Sequence, residues 1–307
     1  MPGASDPAEV AETLLEHFVP SIPPPPPLLR LTWYEDYTPL TFEEISRALS
    51  KSSNTSALGP DHIQYSVWKS VHRMKPSLHP SLLDPLLAHG FHPPSVKKEL
   101  GIVLGKPGKP SYDAPSSFRV IVLLRTHSRI LERVVASCLA AQAGICSLIH
   151  PLHCGSLPGK SPTDAALVLQ HNVVSFKRLH YKVSTLLLDM KGGFDKEESP
   201  SLLSLLRRKG VSPYLVQWVG SFLRDRTCRL TFHESPRLFA PFSVRVPQGS
   251  PIPPLLFVIY VSSLHLEIPR SLTLSYVDDF AVTVASPSCR TNVPLVPKSF
   301  SALKRKA

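Results

Sequence analysis

No apolar run in this chain approaches a membrane span; the longest, residues 255–261, stops far short of the ~20 residues a helix needs to cross a bilayer. Cysteine is scarce. Cys138, Cys146, Cys154, Cys228 and Cys289 are odd in number, and none stands at C-x-x-C spacing, which argues against a disulfide framework or a zinc knuckle. Cys146, His150, His153 and Cys154 do cluster, but Pro151 breaks the helix that would align them as metal ligands, so the segment reads as a loop with buried thiols. Acidic residues are also in deficit: 23 Asp and Glu against 34 Lys and Arg leave a formal charge of +11. That excess suits a polyanionic partner, and without a membrane segment nucleic acid is preferred to an anionic membrane face. The first residues carry acids and no basic region of a secretory signal, so an intracellular location is expected.

What is present suits a folded body. A hydrophobic content of 43% over 307 residues leaves room for two lobes around a sizeable core. Residues 23–27 are consecutive prolines, an extended spacer that sets residues 1–39 apart as a flexible segment. Thr41 and Glu44 then form a capping box, with Leu40 able to staple to Ile45. Strands are predicted at 101–104 and 118–124 around Lys106-Pro107-Gly108-Lys109, and a helix at 128–141. Ser161-Pro162-Thr163-Asp164 opens another helix, Leu186-Leu187-Leu188 reads as a buried strand ending on Asp189, and Ser199-Pro200 with Gly210 bracket a helix. Ser212-Pro213 opens the next, residues 229–232 and 242–246 suggest a paired ribbon, and 255–264 a further helix. The alternation predicts an α+β fold without internal repeats.

The chemistry gathers at Tyr276-Val277-Asp278-Asp279, set between apolar Leu272 and Leu274 and the alternating Phe280, Val282 and Val284. Adjacent carboxylates at the tip of a predicted hairpin repel each other unless a cation neutralises them. Upstream, Asp189 supplies a third carboxylate at a strand end, followed by Met190-Lys191-Gly192-Gly193-Phe194-Asp195. Between the two lies Val246-Pro247-Gln248-Gly249-Ser250-Pro251.

That order, D-x-K-G-x-F-D, then P-Q-G-S-P, then Y-V-D-D, resembles the palm of reverse transcriptases. Ala57-Leu58-Gly59-Pro60-Asp61, Leu104-Gly105-Lys106-Pro107-Gly108-Lys109 and Phe118-Arg119-Val120-Ile121 resemble the fingers of non-LTR (LINE-type) retrotransposon enzymes. The resemblance implies right-hand polymerase fingers over 40–180 and a palm with an antiparallel catalytic sheet over 181–290. It implies an RNA template with a DNA primer, deoxynucleoside triphosphates and two Mg²⁺ or Mn²⁺ ions as partners, and a nuclear location. By the same resemblance Asp189 and Asp278 bridge the metals, Asp279 assists, and the Met190 carbonyl completes the site. Lys106 and Arg119 would bind the triphosphate, Gln248 and Gly249 would meet nucleotide and template, and Phe194 would exclude a ribose 2′-hydroxyl.

The sequence departs from the family at Gly193 in place of Ala, Val120 in place of Pro, and Pro253 in place of a capping Ser. Pro294 and Pro297 fall in the helix expected after the hairpin, where proline costs about 3 kcal/mol. Residues 291–307 are read as a truncated basic end, with the thumb missing and no endonuclease or RNase H domain. Two other readings stay open: a relic that binds nucleic acid without polymerising, and another right-hand palm such as an intron maturase or an RNA-templated RNA polymerase.

Overall fold

The computed structural model describes residues 37–114, 117–155, 160–189, 199–231, 242–243, 249–265 and 271–295. Its first described helix, α1 (Phe42–Ser50), starts on the expected reciprocal cap: the Glu44 N–H donates to Thr41 Oγ1 over 3.2 Å, and the Thr41 N–H to Glu44 Oε2 over 2.9 Å. Two N–H groups that a helix start would leave without partners are thereby satisfied. Helices α2 (Tyr65–Met74) and α3 (Leu78–Ala88) follow, then strands β1 (Lys98–Gly105) and β2 (Phe118–Leu123). Helix α4 (Thr126–Ile145) begins ahead of the expected Ser128. The reason is tertiary: Thr126 Oγ1 donates to the Ile63 carbonyl over 2.9 Å and accepts from Trp68 Nε1 over 2.8 Å.

A second capping box, Ser161 with Asp164, opens α5 (Pro162–Arg178), which leads to β3 (Lys182–Asp189), α6 (Ser199–Arg208), α7 (Pro213–Phe222), β4 (Thr227–Thr231) and β5 (Phe242–Ser243). Helix α8 (Ile252–Ser262) precedes β6 (Ser271–Tyr276) and β7 (Asp279–Ser286). Pro253 proves compatible with α8 because the helix starts at Ile252, so the proline falls in the first turn, where its missing N–H has no intrahelical partner to lose. Ser250 Oγ accepts from the Ile252 N–H over 3.3 Å and does part of the capping. Pro294 likewise lies inside a helical stretch, residues 289–295. Pro297 and the basic residues 304–306 lie outside the described residues, as does the polyproline tract.

Among the described residues these elements make a mixed α+β fold with two sheets. One has the order β2-β1-β4-β5. In it β1 and β2 pair antiparallel, with Leu104 opposite Arg119, whereas β1 and β4 run parallel, with Lys98 opposite Thr227. The expected ribbon is the antiparallel pair β4–β5, with Cys228 opposite Phe242. The other sheet, β3-β7-β6, is antiparallel throughout.

The described residues up to Leu139 form one compact unit with those of Glu198–Pro253, and those of Ala140–Glu197 form the other with those from Pro254 onward. Each unit is discontinuous in sequence. In the first, α7 is buried from Leu215 to Phe222, and its Trp218 and Phe222 rings stack at 5.3 Å. A fully buried ion pair, Glu99 with Arg226, ties β1 to the residue just before β4. In the second, α8 covers one face of the sheet through Phe257 and Val261 against Phe280, Val282, Leu186 and Leu188. Helix α5 sets Ala165, Val168 and Leu169 against Leu274 and Ala281 on the opposite face, as the alternation of side chains along β7 requires. Among the described residues no helix is long and apolar enough to cross a membrane.

Candidate functional site

Tyr276 pairs with Asp279 across β6 and β7, so Val277 and Asp278 form a two-residue hairpin loop. The apolar residues that flank the motif fix this register, because Leu274 and Ala281 must face α5 while Phe280 must face α8. Val277 takes a φ of 55° at the first loop position, where glycine is the usual residue in one of the two favoured hairpin turns. For a β-branched side chain this left-handed backbone costs about 1–3 kcal/mol and needs support from its surroundings. Val277 has that support on one side, packed against the α8 cluster.

Asp278 and Asp279 are both exposed at this tip. The last residue of β3, Asp189, stands opposite Asp279 in the antiparallel ladder, so their Cα atoms are about 4.5–5.5 Å apart by the geometry of such pairs. For Asp189 the backbone position alone is described. Asp279 also lines an open, mainly apolar cleft of about 410 Å³ with Leu187, Leu274, Tyr276 and Ala281, which leaves it accessible to a ligand. Among the described residues no group of three His, Cys, Asp or Glu side chains is arranged to hold a metal ion, and the Asp189 side chain is not among them.

The other expected site residues that are described belong to the first unit. Lys106 directly follows β1, its N–H donating to the Ser117 carbonyl over 2.8 Å and its carbonyl accepting from Tyr112 Oη over 2.9 Å. Arg119 is exposed on β2, opposite Leu104. Gly249 has a φ of 137°, and a Cβ there would fall 2.5 Å from the Val122 carbonyl oxygen of β2. Only glycine fits so close an approach to backbone. Lys106 and Arg119 thus lie toward the loop end of the β1–β2 hairpin, and Gly249 packs against β2 at Val122. Met190, Phe194 and Gln248 lie outside the described residues.

Sequence reasoning did not foresee the residues that touch the hairpin from behind. His153, weighed as a metal ligand and read as part of a loop, bonds Ser275 of β6, and Gly155 meets the turn; neither Gly155 nor Ser275 was singled out. Gly155 alone carried a signal, a glycine in a segment that also holds two buried thiol and imidazole side chains.

Carboxylates at the joined ends of an antiparallel sheet, backed by a helix on each face, define an acidic site on an α+β scaffold. Comparison with known proteins gives that scaffold its lineage. Residues 104–304 match the family described as "Reverse transcriptase (RNA-dependent DNA polymerase)". The chain is 26% identical over 260 residues to the probable RNA-directed DNA polymerase from transposon BS of Drosophila melanogaster, covering 82% of this chain and 28% of that protein. It is 25% identical over 257 residues to the RNA-directed DNA polymerase from mobile element jockey of the same species, covering 81% and 28%. A transposon TX1 protein of Xenopus laevis is 22% identical over 273 residues, covering 87% and 20%. The chain belongs to the reverse transcriptase family, and its relatives include RNA-directed DNA polymerases of non-LTR retrotransposons. It spans little more than a quarter of the length of the first two relatives.

Proposed function

We propose that this chain is the fingers and palm, at 40–180 and 181–290, of an RNA-directed DNA polymerase that extends a DNA primer on an RNA template. The observation that carries the reading is the register of Asp189 opposite Asp279, with Asp278 next to it in the turn. The adjacent carboxylates of Asp278 and Asp279 repel unless a cation neutralises them. The hard oxygen donors of Asp189, Asp278, Asp279 and the Met190 carbonyl fit Mg²⁺ or Mn²⁺. Bound there, two such ions supply Lewis acidity to the primer 3′-hydroxyl and to the leaving pyrophosphate.

The chain's own residues bind and orient. Lys106 and Arg119 offer cationic donors to the triphosphate, with charge-assisted hydrogen bonds that strengthen as its charge shifts in the transition state. Gly249 lets the backbone approach a base pair closely, and Gln248 beside it offers an amide to nucleotide or template. Phe194 is assigned to exclude a ribose 2′-hydroxyl and so to select deoxynucleotides; Phe194→Ala is expected to raise ribonucleotide use.

Primer extension on a homopolymer RNA template with Mg²⁺ or Mn²⁺ tests the reading. Asp189→Asn and Asp278→Asn are each expected to lower it by about a hundredfold or more. Incorporation unchanged in either variant refutes the assignment. Binding of primer–template by the unmodified chain with no extension in either metal would replace it with the non-polymerising relic.

A further inference from the structure

Behind the hairpin tip, one residue before Tyr276, Ser275 is buried and joins two imidazoles. Its Oγ lies 2.7 Å from His153 Nδ1 and 2.6 Å from His265 Nε2. His153, wholly buried, directs its other nitrogen to the Gly155 carbonyl over 3.1 Å. A carbonyl only accepts, so His153 Nε2 carries the proton. Burial, the largest influence, keeps this imidazole neutral, its pKa lowered to about 4. His153 Nδ1 therefore accepts from the Ser275 hydroxyl, whose lone pair accepts in turn from the His265 Nε2–H. The donors run one way, from His265 through Ser275 and His153 to Gly155.

The backbone repeats this docking. The Cys154 N–H donates to the Ser275 carbonyl over 2.9 Å and the Ser275 N–H to the Leu152 carbonyl over 3.2 Å, so His153 forms a parallel bridge to Ser275 on the outer edge of β6. Lys160 Nζ donates to the Pro151 and His153 carbonyls over 3.0 and 2.8 Å and gathers the segment from its far side. At its end stands Gly155, where a Cβ would fall 2.3 Å from the Val277 backbone nitrogen. The segment thus abuts the strained residue of the turn itself.

We propose that His153 is a positioning residue: through Ser275 and Gly155 it braces residues 152–155 against β6, holds Val277 in its left-handed conformation, and so sets where Asp278 and Asp279 stand. The brace rests on the reading of those carboxylates as a cation-holding site. A strained turn relaxes when its support is withdrawn, so loss of the His153 ring would move the carboxylates apart from their working register even in a folded chain.

Two readouts on the full chain test this. Nitrogen-15 NMR of the unmodified protein is expected to find His153 as the neutral Nε2–H tautomer at neutral pH; the Nδ1–H tautomer overturns the proposal. Mn²⁺ affinity, followed by electron paramagnetic resonance of the free ion, is expected to fall about tenfold in His153→Ala, as for residues that orient ligands from behind. His153→Gln, which keeps a donor toward the Gly155 carbonyl, is expected to recover most of it, and His171→Ala on the exposed side of α5 to change nothing. Unaltered Mn²⁺ affinity in folded His153→Ala overturns the brace. If the unmodified chain binds no Mn²⁺, the polymerase reading falls instead. The brace is then decided by amide exchange at Val277, which must quicken in His153→Ala.

Discussion

Gly155 has little freedom to change, since the neighbour it would strike is Val277 backbone and not the movable end of a side chain. Gly155→Ala should destabilise the chain by about 1–3 kcal/mol, the cost of forcing added volume into a packed site. Chemical denaturation checks this, and an unchanged midpoint would mean that the turn moves aside freely. His79 offers a prediction of another kind. It is 1% exposed, with the His72 and His127 rings 5.3 and 5.8 Å away. Burial first, then the charges of His127 and His72, lower its pKa from the usual 6.5 to about 4. Between those values the unfolded chain binds the proton and the folded chain does not, so stability rises with pH across the window and falls on acidification from 6.5 toward 4. Denaturant midpoints measured across that range should drop as pH falls, and His79→Phe should flatten the slope. Some slope remains in that variant, because His153 is lowered to the same region.

At the scale of elements, α1 is held by its cap more than by its length, since a helix this short forms poorly alone. Thr41→Ala should cost about 0.5–2 kcal/mol and Glu44→Ala less, because the first removes the acceptor at the helix start and the second only its reciprocal partner. Thermal unfolding of the two variants tests that order. This cap was legible in the sequence because both of its partners lie within one turn. The β6–β7 hairpin was legible for a similar reason: its alternating apolar residues and its two-residue loop are local. Asp189 could be read as a strand end from the leucines before it, yet its register opposite Asp279 joins positions far apart in the chain and leaves no local trace. The parallel pairing of β1 with β4 escaped for the same reason. The start of α4 was misread by two residues because Thr126 bonds to Ile63 and Trp68, partners that no helix signal encodes. His153 was weighed as a metal ligand because its true partner, Ser275, stands 122 residues away.

For the whole molecule, the decisive sequence property is the formal charge of +11, which fold and register do not alter. A basic chain binds nucleic acid largely by releasing the counterions condensed on phosphates, so affinity should fall steeply with salt and differ little between sequences. The exposed run Arg207, Arg208 and Lys209 at the end of α6 is one place for such contacts. Contact with about five phosphates would give a log–log slope near −4.5, whereas a slope shallower than about −1 would mean that charge contributes little. Fluorescence anisotropy with an RNA–DNA duplex over a range of salt concentrations measures it. Asp278→Asn makes the experiment sharper. Losing one negative charge at an exposed turn should leave duplex affinity unchanged or slightly higher while extension is lost, which separates grip from chemistry in one variant. Should Asp278→Asn weaken duplex binding as much as it weakens extension, the carboxylate would be serving the fold or the nucleic-acid contact, and its assignment to nucleotidyl transfer would fail.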